Sequence, residues 1–160
     1  IGLDVQFILK LKFTFKNNIM KNQKTYLEHA NITTNNFDET IQFLKIAFPD
    51  FYIRHQAGEG TEKWAHFGDE NTYLAINQGP FEDTVEHNYS KNGIKHLGFV
   101  VEDLVALGKR LEKAGYKRSY PIMEHPFRRR EYFFDKSGID FEFIEYFTDN
   151  NIERNDYLLE

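Results

Sequence analysis

The chain contains no cysteine. That absence removes disulfides, iron–sulfur clusters, thiolate zinc sites and cysteine nucleophiles, and it is the pattern expected of a cytoplasmic protein. No apolar run approaches the roughly 20 residues a membrane-spanning helix needs. Positive charge is not in surplus either, since 20 Lys and Arg stand against 25 Asp and Glu for a formal charge of −5. An acidic balance argues against nucleic acid or an anionic membrane as the main partner. Methionine is scarce, whereas Phe occurs 16 times and Tyr 9 times. Rings in that number, set among short Val and Ile runs, point to sheet-rich structure around a thick core or a lined cavity. A chain of 160 residues can bury one core or two small modules that share an interface.

What is present is a repeat. A displacement of 67 positions carries His29 in TYLEHANITT onto His96 in NGIKHLGFVV, and with no gap Leu44 falls on Leu111, Ala47 on Ala114 and Phe67 on Phe134. The same register sets Ala75 against Glu142, so two copies of one unit supply two histidines and one carboxylate. The first copy reads as a strand over Tyr26–Thr33 and a helix capped by Asn35 or Asn36 with Phe37, Ile41, Leu44 and Phe48 on one face. Pro49 stops that helix, and strands follow over Phe51–Gln56, Lys63–Phe67 and Thr72–Asn77. The second copy reads as a strand over Ile94–Val101 and a helix capped by Asp103, striped by Leu104, Leu107, Leu111 and Ala114 and ended by Gly115. Its later strands span Tyr116–Ile122, Arg130–Phe134 and Asp140–Tyr146.

Each copy is therefore βαβββ. The expected fold is α+β, with two paired modules over residues 23–78 and 94–147, a polar connector over 79–93 and a polar, acidic tail over 148–160 that decorates the surface. Residues 1–22 stand apart: they are either an extension ahead of the fold or, from Val5 to Phe15, an added edge strand.

Three segments together, LEHANITT, IKHLGFVV with the EDLVALGKRLEKAGY helix, and FFDKSGIDFEFIEY, resemble the vicinal oxygen chelate superfamily of glyoxalases, bleomycin-resistance proteins and extradiol dioxygenases. The resemblance covers about Tyr26 to Phe147 and implies an open, cup-like mixed sheet holding one divalent metal ion. It implies His29, His96 and Glu142 as metal ligands, with Fe, Mn, Ni, Co and Zn left undistinguished. Many glyoxalase-like members draw a fourth ligand from the last strand of the first module, where this chain has Ala75. The resemblance further implies a small, oxygen-rich, metal-chelating substrate, lyase, isomerase or ring-cleaving dioxygenase chemistry, and a homodimer. The rival is a metal-free module that sequesters an antibiotic without turnover.

A lone strand histidine is more often packing than ligand. Two at repeat-equivalent positions, with a matching Glu, favour a metal site. Glu145 competes with Glu142 but sits on the opposite strand face. His66 is the candidate for moving a proton beside Glu142, against the plainer reading of a hydrogen-bonded strand histidine. In the run Arg128–Arg130, Arg130 shares a strand face with Tyr132 and Phe134 and is the candidate grip for a substrate anion. Trp64 and Tyr73, with Tyr132, are candidate pocket walls, although core packing explains such rings equally well.

Overall fold

The computed structural model describes residues 25–80 and 93–158. The edge strand expected within 1–22, and most of the connector, lie outside those residues. Strand β1 (His29–Thr34) leads into helix α1 (Phe37–Ala47), followed by β2 (Tyr52–Ala57), β3 (Trp64–Gly68) and β4 (Tyr73–Gln78). The second module repeats the order with β5 (Leu97–Val100), α2 (Leu104–Lys113), β6 (Met123–His125), β7 (Arg128–Phe134) and β8 (Asp140–Tyr146), and a short helix α3 (Asn151–Arg154) follows. Sheet order is β1-β4-β3-β2 in one module and β5-β8-β7-β6 in the other. In each, the first strand runs parallel to the last while the other pairs are antiparallel. The expected pair of βαβββ modules is what the chain forms.

Local chemistry explains the helices. Asn36 caps α1 by accepting from the Glu39 amide, and Asp38 and Glu39 in the first turn meet the positive end of the helix dipole. Asp103 does the same for α2 through the Ala106 amide. Gly115, at φ 91°, ends α2 in a left-handed turn that a side chain would strain. On the apolar side α1 buries Phe37, Ile41, Phe43 and Leu44, and α2 buries Leu104, Leu107 and Leu111. Ala114, expected to extend that stripe, is exposed.

The two modules share one core. Phe43 of α1 lies 5.0 Å from Phe141 of β8 and meets Tyr116 edge-on at 4.9 Å, while Phe48 lies 4.8 Å from Phe99 and 5.7 Å from Phe143. Polar groups pin the same seam. Thr34 donates to Ser137 at 2.6 Å, Thr40 donates to Asp135 at 2.5 Å, and Arg110 donates to the Ile46 and Ala47 carbonyls at the end of α1. The helices and the shared core cover one face of each sheet; the opposite face is partly exposed in module one, and in module two its end is covered by the tail, with Arg154 over Tyr146.

Two expectations need correction. The strand expected over Tyr116–Ile122 is reduced to a single bridge between Arg118 and Phe133, and regular pairing begins only at Met123. Pro121 interrupts it, because proline has no N–H to give a ladder. The strand expected from Ile94 starts at Leu97, so His96 stands just ahead of β5 rather than inside it.

Candidate functional site

Strand alternation sorts the candidate residues onto the two open faces. On module two, Gly98 of β5, Glu142 of β8 and Tyr132 of β7 are neighbours in register. Tyr132 donates its hydroxyl to Glu142 Oε1 at 2.6 Å, which fixes the carboxylate and leaves Oε2 turned toward His96 Nε2 at 3.1 Å. His96 also meets the Tyr132 ring edge-on at 5.6 Å, and Tyr120 packs edge-on against Tyr132 at 5.5 Å. Gly98 sets the β5 backbone close beside this corner, where even a Cβ would touch Glu142 Oε2 at 3.4 Å. Glu142 is 7% exposed, so the carboxylate is held in a largely dry setting. The far side of the imidazole, His96 Nδ1, is buried and finds no hydrogen-bond partner.

On module one, His29 stacks on its register partner Tyr73 with ring centroids 4.8 Å apart. Its Nδ1 lies 2.8 Å from Glu28 Oε2. A carboxylate at Nδ1 holds the proton on that nitrogen and leaves Nε2 as a free lone pair, the arrangement commonly found behind a metal-binding imidazole. His66 sits between the Tyr73 and Trp64 rings at 4.5 and 5.1 Å. Burial, then the charges of Arg54, His29 and His55, hold the His66 pKa below the usual imidazole range, so the ring is neutral at pH 7.

A cavity of about 550 Å³ opens between the first strands of the two modules, and His29, Tyr73, His96 and Gly98 are among its lining residues. The structure thus brings His96, Glu142 and Tyr132 into direct contact, and His96 and His29 line one cavity. Among the described residues no three His, Asp or Glu side chains group tightly enough to hold a metal ion. The donor set nevertheless suits one. His96 Nε2 and Glu142 Oε2 converge on one point, Tyr132 fixes that carboxylate from behind, and Glu28 fixes the His29 imidazole.

The remaining candidates divide. Arg130 lies on the open face of β7, in register with Ile144 and Met123. Arg128 is only 2% exposed and donates to the Arg154 and Asp156 carbonyls, so it pins the tail rather than facing solvent. Arg129 pairs with Glu124. Glu145 accepts from the Leu104 amide at the start of α2, on the helix side of the sheet. Reading the sequence missed Glu28, although its place beside His29 was a signal. It also missed Arg54, whose guanidinium carbon lies 4.5 Å over the Tyr73 ring.

A protein-family model described as Glyoxalase/Bleomycin resistance protein/Dioxygenase superfamily matches residues 26–143. No curated protein matches by sequence. Among solved structures, the chain is similar to a glyoxylase/bleomycin resistance protein/dioxygenase domain from Frankia sp., with 22% identity and a TM-score of 0.64 over 78% of this chain and 99% of that one. It is similar to the fosfomycin resistance protein FosX from Mesorhizobium loti, with 21% identity and a TM-score of 0.61 over 82% and 98% of the two chains. A FosX from Listeria monocytogenes, complexed with Mn(II) and sulfate, gives 19% identity and a TM-score of 0.62 over 84% and 100%. At these identities the likeness to solved structures speaks for the fold.

Proposed function

The chain belongs to the Glyoxalase/Bleomycin resistance protein/Dioxygenase superfamily, and we propose that it is a metal-dependent enzyme acting on a small, oxygen-rich molecule that chelates a divalent ion. The ligands in this reading are His29, His96 and Glu142. The observation that carries it is the apposition of His96 Nε2 and Glu142 Oε2, with Tyr132 holding the other carboxylate oxygen. When bound, a divalent ion supplies Lewis-acid stabilisation of an oxyanion or a lowered pKa for bound water. The chain's own residues supply the rest. Tyr132 and Glu28 orient ligands, neutral His66 accepts a proton, and the rings beside it exclude water. The reaction is of the lyase or isomerase type, or is ring-cleaving oxygenation.

Assembly fits the same reading. Leu27, Val100 and Ile94, exposed by 76%, 63% and 73%, lie along the first strands or just ahead of them. A second copy packed there would cover apolar surface and could bring its own His29 to the His96–Glu142 pair, giving a homodimer with shared sites. Sedimentation of the parent and a Val100→Asp variant tests it, with the parent dimeric and the variant monomeric.

The second reading is a metal-free sequestering module, favoured by the separation of His29 from the other two candidates. Elemental analysis after chelation and reloading with Fe, Mn, Ni, Co or Zn decides. About one divalent ion per chain, lost in His96→Ala and Glu142→Gln, supports the enzyme. No ion under any loading leaves the sequestering module.

A further inference from the structure

The open face of module one carries a feature that extends well beyond the proposed ligand His29. Five rings run across all four strands in an unbroken row: His29, Tyr73, His66, Trp64 and His55, with successive centroids 4.8, 4.5, 5.1 and 5.3 Å apart. None belongs to the core, which lies on the opposite face through Ile32, Leu74, Ile76, Ala65 and Phe67. The row survives at its outer end because the register slips between Ile53 and His55. That slip lets two consecutive residues serve one face: His55 against Trp64, and Arg54 laid over Tyr73.

Arg54 is exposed, and among the described residues it makes no ion pair. The nearby acids are occupied, Glu28 by His29 and Asp69 by the Asn71 and Thr72 amides of its own turn. A guanidinium stacked flat on a ring still offers its edge N–H groups to an oxyanion. Tyr73, His66 and Trp64 are half-buried and stand face against neighbour, so a planar group laid across the row meets them edge-to-face, a contact that adds to area burial.

We propose that this row is a binding platform for a planar aromatic carboxylate, its anion gripped by Arg54 and its ring set across the edges of Tyr73, His66 and Trp64. The platform deepens the proposed cup, because its inner end is His29 and a ligand held by Arg54 lies one ring from that histidine. Its own existence does not depend on metal.

Trp64 is the sole tryptophan of the chain, so the platform carries its own reporter. Chelator-treated, metal-free protein is titrated by equilibrium dialysis with naphthoate, neutral naphthamide and cyclohexanecarboxylate, and Trp64 emission is followed in parallel. Naphthoate is expected to bind more tightly than either analogue and to quench Trp64. Arg54→Gln is expected to weaken naphthoate about tenfold or more while leaving naphthamide unchanged, and Tyr73→Leu to weaken both. Equal binding of cyclohexanecarboxylate, or an Arg54→Gln variant that holds naphthoate as the parent does, overturns the proposal. So does an Arg54→Gln variant that loses every ligand equally while dissociating in sedimentation, since the row would then be an interface between copies. Platform binding in a protein that takes up no metal would sink the metal reading alone; metal uptake with no naphthoate binding would sink the platform alone.

Discussion

The two modules are the same scaffold with opposite chemistry on their open faces. In module one the face is a row of imidazoles and aromatic rings with a guanidinium over it, and its strand β2 is exposed along most of its length. In module two the equivalent face holds a nearly buried carboxylate, clamped by a tyrosine and an imidazole. Position 75 and position 142 occupy the same place in the repeat, yet one is Ala and the other Glu. The duplicated βαβββ frame dictates where side chains point and leaves open what they are. A carboxylate in only one copy gives one polarised corner and one broad platform rather than two equivalent sites.

Substitutions on either side test that contrast. The largest effect is expected where the modules are least separate. Phe43→Ala should cost about 3–5 kcal/mol, and differential scanning calorimetry should show one transition moving as a whole. Two transitions, with only one displaced, would mean the halves are independent. Next is the seam acid. Burial raises the Asp135 pKa from 3.8 to about 6 despite the bond from Thr40. The native state therefore holds this proton more tightly than the unfolded chain. Its stabilising contribution is complete below about pH 4, falls between pH 4 and 6, and costs about 3 kcal/mol once both states are ionised. Denaturant midpoints measured across that range should decline with rising pH, and Asp135→Asn should flatten the decline.

On module two alone, Tyr132→Phe frees Glu142 Oε1 and should weaken divalent-ion affinity by about ten- to a hundredfold, read by competition with a chromophoric chelator. The matching change on module one, Tyr73→Phe, keeps the stack under His29 and should leave that affinity within about twofold. The smallest effect is electrostatic. Arg54 helps hold the His66 pKa down, so Arg54→Gln should move the His66 titration upward in proton NMR, with the His96 resonance unmoved.

Much of this was legible in the sequence because it is local. The caps at Asn36 and Asp103, the helical stripes, and β8 over Asp140–Tyr146 follow from spacing and residue type. What escaped depends on who sits across a ladder. The clamp of Tyr132 on Glu142 exists because those two residues are register partners on β7 and β8, which one strand's pattern does not reveal. Arg54 was invisible for a related reason: simple alternation puts it and His55 on opposite faces, and only the slip in pairing with β3 brings both to one. Proline at 121 was in plain view, but a strand-like run outweighed it.

The shared core also has a consequence for synthesis. Phe141, one of the rings that closes around Phe43, is added to the chain 98 residues later. At ribosomal speeds of about 5–20 residues per second, the first module waits roughly 5–20 s with its helix unburied on one side. During that interval the nascent half is exposed to chaperones and to its own neighbours on the polysome, and its yield in a cell will depend on how quickly the second half arrives.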